Sequence, residues 1–268
     1  MTDRWFGRSR ATRGSWVRRA WPTLLTAPAD AVTPADVRAI DIVGLRLPAR
    51  ASIAVTATTL LLLIDFSRVL LPGDIQALGR TPAGLLAIAL ERLVIFFVVP
   101  LGIVTLAFRD DPRRYGLTLG DAPIGAGLAV AGAALMTPIV LWSATLPDVR
   151  DYYAVSAAPA AEVIAINVLD LTAAEFLYRG FLMFTLVRAV GPIGVLIAVM
   201  PFAFSHLGKP VLELLSTLVG GLAYGWLAWR TRSIVWGSIA HVYILSLVTL
   251  AAAAAASAAA TEAVTLTT

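Results

Sequence analysis

The chain alternates long apolar stretches with short polar ones, and the apolar stretches are longer than the interior of a water-soluble domain requires. Seven stand out: Ala51 to Leu71, Ala83 to Phe108, Ile124 to Leu146, Ala157 to Val190, Pro192 to His206, Val211 to Trp229 and Ser233 to Ala255. At a rise of about 1.5 Å per residue, about 20 residues cross a hydrocarbon layer roughly 30 Å thick. The runs therefore predict an all-α fold, a polytopic integral-membrane helix bundle of about seven to eight spans. The fourth run has 34 residues, more than the hydrocarbon needs, so it is expected to tilt, protrude or break, and Gly191-Pro192 ends it.

Composition removes the alternatives. Of 268 residues, 59% are hydrophobic and 14% charged, against about 25% charged in soluble domains. So few charges cannot cover a water-exposed globule, and much of the surface must face lipid. Cysteine is absent, which excludes a disulfide framework, a thiolate nucleophile and cysteine-ligated metal centres. Any chemistry falls to oxygen and imidazole groups.

Charge also sets the expected orientation. The first 50 residues hold nine arginines against four aspartates. With Trp5, Trp16 and Trp21 among them, they read as a cytoplasmic segment beside anionic headgroups, not as a nucleic-acid module. With the N-terminus inside, the cytoplasmic side receives fifteen Lys and Arg, and the outside only Arg80, Arg150 and Lys209. That asymmetry follows the positive-inside rule and predicts a protein of the cytoplasmic membrane with its N-terminus in the cytoplasm. No secretory or twin-arginine signal is expected, because Pro22, Pro28 and Asp30 interrupt the stretch after Arg18-Arg19.

Ionisable side chains inside apolar runs need a partner or a task. Asp65 with Arg68, and Glu91 with Arg92, read as paired structural charges. The fourth run gathers Glu162, Asp170, Glu175 and Arg179. Glu175 and Arg179 are four apart, so on a helix they share a face and the guanidinium can hold the carboxylate ionised and aimed. A pair that merely neutralises itself is the competing reading. The only two histidines, His206 and His241, fall on two later helices, and three groups on three helices can converge on one buried water.

A carboxylate and two imidazoles suffice for hydrolysis: one base takes a proton from water, and another group steadies the oxyanion or protonates the leaving amine. Equally, His206 and His241 can join the carboxylate around a divalent metal such as zinc, which would acidify a bound water. No HExxH spacing decides for metal, and both arrangements stay open. Two other classes fit less of the pattern. Haem b between His206 and His241 would make an electron carrier but leave Glu175 and Arg179 without a role. A transporter would be expected to show an inverted repeat, which the sequence lacks. Gly221 and Gly225 form a GxxxG, read as helix packing, and Trp226, Trp229 and Trp236 around Arg230 and Arg232 read as interface anchors.

Taken together, Glu175-Phe176-Leu177-Tyr178-Arg179, Phe202 with His206 four later, and then His241 resemble the three motifs of the CAAX protease and bacteriocin-processing (CPBP, or Abi) family of intramembrane proteases, EExxxR, FxxxH and HxxxN/D. The resemblance implies a helical intramembrane bundle that hydrolyses a peptide bond in a membrane-associated protein or peptide, with Glu175, His206 and His241 catalytic and Arg179 supporting. Two positions differ. The first Glu of the pair is Ala174, and the residue four after the last His is Leu245. Asp170, one turn before Ala174, and Glu213, in the first turn after Pro210, are the substitute carboxylates that helix geometry offers. A catalytically silent relative, acting as a membrane scaffold or immunity factor, is the alternative function. The expected organisation is a basic segment over 1–50, N-terminal transmembrane helices over 51–150, the catalytic helical core over 151–255 and a low-complexity tail over 256–268.

Overall fold

The computed structural model describes residues 26–154 and 158–267; Trp5, Trp16, Trp21 and the arginines around them lie outside the described residues. A β-hairpin, β1 (Ala39–Ile42) and β2 (Leu45–Pro48), leads directly into α1 (Ala49–Ser67). There follow α2 (Pro82–Ala107), α3 (Ala122–Ser143), α4 (residues 160–190), α5 (Ile193–Phe204), α6 (Val211–Thr231) and α7 (Val235–Thr267). Every apolar run thus forms a helix. Five of them, α1, α2, α3, α6 and α7, are long and apolar enough to cross a membrane. The fifth run is shorter than a span, because α5 has 12 residues and so extends only about 18 Å.

The surface carries the mark of lipid. Leu60, Leu63 and Phe66 on α1, Val130 and Leu135 on α3, and Leu215, Leu218 and Val219 on α6 all point outward. In water such a display would drive association, whereas against acyl chains it costs nothing.

The polar exception is α4, which sits at the centre, packed against α1, α2, α5, α6 and α7. Every residue from Ala173 to Arg188 is buried, so Glu175, Arg179 and Arg188 meet protein and not lipid, the arrangement in which such charges are tolerable. The helix does not break. Its middle, Phe176–Met183, widens into a π-helical stretch, and it stops at Gly191, whose φ of 76° is costly for other residues. Near its end Arg188 Nη1 donates to the Arg114 carbonyl at 2.8 Å in the α2–α3 connection. The GxxxG of α6 serves α5, since a Cβ on Gly221 or Gly225 would lie 3.0 Å from Val199 or 2.9 Å from Val195.

The paired charges of α1 and α2 form one network instead of two local pairs. Arg68 bridges Asp65 at 2.7 Å and Glu91 at 3.1 Å, while Arg92 bridges Asp65 at 2.7 Å and Asp170 of α4 at 3.0 Å. Adjacent residues such as Glu91 and Arg92 do not face one another on a helix, so each finds a partner across the bundle.

A strap over residues 30–37 crosses the N-terminal face of the bundle. Asp30 pairs with Arg232 and accepts a bond from Trp229 Nε1 at 2.9 Å. Asp36, also buried, meets Arg50 and Arg114 at 2.8 Å and Arg188 at 3.4 Å. Burial raises the Asp36 carboxyl, but hydrogen bonds from Arg114, Thr33 and Arg50 outweigh it and hold the group below the usual carboxylate range. A depressed folded-state value stabilises the strap above the unfolded carboxylate value of about 3.9, and that contribution is lost as pH falls through the lower folded value. The strap should therefore stay docked at pH 5, whereas Asp36→Asn should loosen it at every pH. A thermal scan should show a loss of about 2–4 kcal/mol, and limited proteolysis should show faster cleavage after Arg38.

Candidate active site

The site assembles where α4, α5, α6 and α7 meet. Glu175 is wholly buried, and its Oε1 receives two bonds, from Arg179 Nη1 one turn along α4 at 3.1 Å and from His241 Nδ1 on α7 at 2.9 Å. The i, i+4 spacing read from sequence brings the first together, and the antiparallel packing of α7 on α4 brings the second. Because a carboxylate oxygen only accepts, His241 carries a proton on Nδ1. Glu175 Oε2 and Arg179 Nη2 are both buried without a hydrogen-bond partner. In a low-dielectric interior such atoms are expensive, so an acceptor and a donor stand ready for a polar guest.

His206 follows the end of α5, in the turn that Gly208 and Pro210 complete before α6 begins at Val211. Its Nδ1 lies 2.8 Å from the Phe202 carbonyl and 3.3 Å from Ser205 Oγ. A carbonyl cannot donate, so here too the proton is on Nδ1 and Nε2 is left as an acceptor.

Phe202 is the hub, a role that its spacing from His206 does not by itself reveal. The Arg179 guanidinium lies 3.9 Å from its ring centroid, and His206 and His241 approach the ring edge-on at 4.6 and 6.0 Å between centroids. Tyr224 of α6 stacks on His241 at 5.0 Å, with a 19° angle between the planes. An aromatic face attracts the cation, and the rigid rings fix both imidazoles. Tyr224 was missed because nothing in its local sequence separates it from an ordinary interface tyrosine.

The structure gathers Glu175, Arg179 and His241 into one hydrogen-bonded cluster and sets His206 on the same phenyl ring. The two substitute carboxylates are held elsewhere: Asp170 by Arg92, and Glu213 by Lys209 at 2.7 Å and Tyr153 Oη at 2.6 Å. Ala174 is buried beside Glu175 and leaves its position without a polar group. Among the described residues no three His, Asp or Glu side chains group as a metal site. Glu175 Oε1 is already committed to Arg179 and His241.

Beside this cluster lies a cavity of about 870 Å³. Its wall is mainly apolar, drawn from α1, α2 and α4, with Asp65, Arg68, Arg92 and Asp170 set into it. Ser205 and Leu207, which flank His206, and Leu245, one turn beyond His241, also line it. Glu175, Arg179, His206 and His241 are not among its lining residues, so a ligand there would approach the site through Ser205 and Leu207.

Fold and site together define an integral-membrane helix bundle with a buried acid–arginine–imidazole cluster on its central helix. Residues 156–246 match the family model described as type II CAAX prenyl endopeptidase Rce1-like, consistent with the CPBP resemblance carried by Glu175, Arg179, His206 and His241. No curated protein and no solved structure matches the chain.

Proposed function

We propose that the protein is an intramembrane endopeptidase, of the kind the matched family's description names, that cleaves a peptide bond near the membrane-anchored end of a protein or peptide. The observation that carries this reading is the state of Glu175. It is a fully buried carboxylate, with one oxygen held by Arg179 and His241 and the other unpartnered. Glu91 of the structural network also leaves one oxygen unpartnered; what sets Glu175 apart is that it is wholly buried and meets one of the chain's two histidines.

The chemistry then runs through this chain's own groups. A water held by Glu175 Oε2, with His206 Nε2 as a second acceptor, gives a proton to the carboxylate as its oxygen bonds to the scissile carbonyl carbon. The carbonyl π pair moves onto oxygen and is met by the free Arg179 Nη2 donor. As the C–N bond breaks, the proton on Glu175 passes to the departing amine. His241 spends its Nδ1–H on aiming Glu175, so oxyanion support falls to Arg179 and not to this imidazole. The neighbouring cavity gives the substrate an apolar bay.

The silent-relative reading is favoured by one observation, that Ala174 and Leu245 bring no polar group to the two positions where the family pattern has one and Asp170 and Glu213 do not replace them. The two readings part on a direct assay. The purified protein in vesicles should hydrolyse lipid-modified peptides, and in heavy-oxygen water mass spectrometry should find one heavy oxygen in the new carboxylate. Absence of any product across lipid-modified and unmodified membrane-tethered peptides would leave the binding role alone. The N-terminus is assigned to the cytoplasm on the arginine asymmetry.

A further inference from the structure

The β-hairpin ahead of α1 has a sidedness that the bundle does not use. Its register opposes Ile40 to Leu47 and Ile42 to Leu45, with Asp41 opposite Arg46 between them. Alternation along a strand therefore puts Ile40, Ile42, Leu45 and Leu47 on one face and Asp41 and Arg46 on the other. Ile40 is half-buried, but the rest of the apolar face is open. Leu45 is 63% exposed, Ile42 45% and Leu47 38%, and Val43 at the tip is 98% exposed. The turn itself is specified: Val43 and Gly44 both have positive φ, and Asp41 Oδ1 accepts the Gly44 amide at 2.9 Å. Two strands alone are marginal in water, and an aliphatic face with a bare valine at its tip would worsen that.

We infer that this hairpin is a membrane-interface anchor, lying with its aliphatic face in the headgroup and upper acyl region of the bilayer beside α1 and its Asp41/Arg46 face toward water. Three features choose lipid as the occupant. Pro48 ends β2 and immediately precedes Ala49, the first residue of a membrane-length helix, so no linker separates the hairpin from the bilayer edge. The strap before it is pinned across the end of the bundle by Asp30 and Asp36, which places the hairpin at the rim, where the first turns of α1 turn Ile53 and Val55 outward. Arg38 and Arg46 flank the aliphatic face, and the first 50 residues carry nine arginines, the charge that suits anionic headgroups. The inference does not depend on catalysis.

The absence of cysteine makes the test clean. Val43→Cys, Leu45→Cys and Asp41→Cys are labelled one at a time with a polarity-sensitive dye in the full-length protein. Each is reconstituted in phosphatidylcholine vesicles with and without phosphatidylglycerol. Lipids spin-labelled near the headgroup should quench the dye at positions 43 and 45 by more than about half and at 41 by less than about a fifth, as expected for a monotopic insertion a few ångströms deep. Equal quenching of all three by aqueous iodide, with none by the lipid label, would overturn the proposal. Protection at 43 and 45 that appears only at high protein density would also overturn it, since a second copy would then be covering the face.

Discussion

Glu175→Gln is expected to lower cleavage of a membrane-tethered peptide, per folded molecule, by about 10²–10⁴-fold, the range a positioned general base supplies; leaving Arg179 without its counter-ion should also lower stability. The amide has the carboxylate's shape, and its carbonyl oxygen can accept the bonds that Oε1 now receives from Arg179 and His241. At the Oε2 position, however, an acceptor becomes an NH₂ donor. A water there can no longer surrender its proton, and the loss should fall on kcat, with KM little changed, because the substrate bay is untouched. Initial rates over a range of substrate concentration, measured with thermal unfolding of the same preparation, check this. Turnover within about threefold of the parent would remove Glu175 from the mechanism, since no general base is worth so little. If the protein only binds its partner, the same substitution should leave capture of that partner unaltered.

Much of the architecture was legible because a bilayer imposes length. Apolar runs such as Ala83 to Phe108 and Val211 to Trp229 could be nothing but helices once lipid was the solvent. Gly191, Pro210 and the Gly221/Gly225 pair were legible for a related reason, since each answers a local steric demand. The failures came from reading one helix at a time. Asp170 looked available to fill the place of Ala174 because Arg92, 78 residues earlier, is invisible from its own helix. Glu213 likewise looked free until Tyr153, 60 residues away, was seen to claim it. The site itself was legible as a list of scarce groups in an apolar chain, Glu175, Arg179 and two histidines. What sequence did not convey was the hub: Phe202 and Tyr224 act through ring geometry that only the packing of α5, α6 and α7 creates. The π-helical stretch of α4 was equally hidden, because it runs through residues with ordinary helix preferences.

The pairing of Glu175 with Arg179 makes a second large prediction, and it separates structural worth from catalytic worth. Arg179→Leu removes the cation from a carboxylate that is 0% exposed and discards the stacking of the guanidinium on Phe202. Leaving one buried charge uncompensated costs about 3–5 kcal/mol, enough to unfold a marginal membrane protein, so little folded material is expected unless the protein is stabilised by lipid or ligand. The double variant Glu175→Gln/Arg179→Leu should recover most of that loss, because it replaces an ion pair by a neutral amide and a packed hydrocarbon instead of leaving half a pair behind. Neither variant should cleave peptide. Unfolding measured in the same detergent for both single variants, the double variant and the parent closes the cycle. A coupling of at least about 2 kcal/mol is expected for groups in direct contact. If the three variants instead proved equally stable, water would have to be solvating Glu175 in the free protein. The isolated pocket on which proton transfer to Oε2 relies would then be an open channel, with the carboxylate's charge balanced by solvent and not by Arg179.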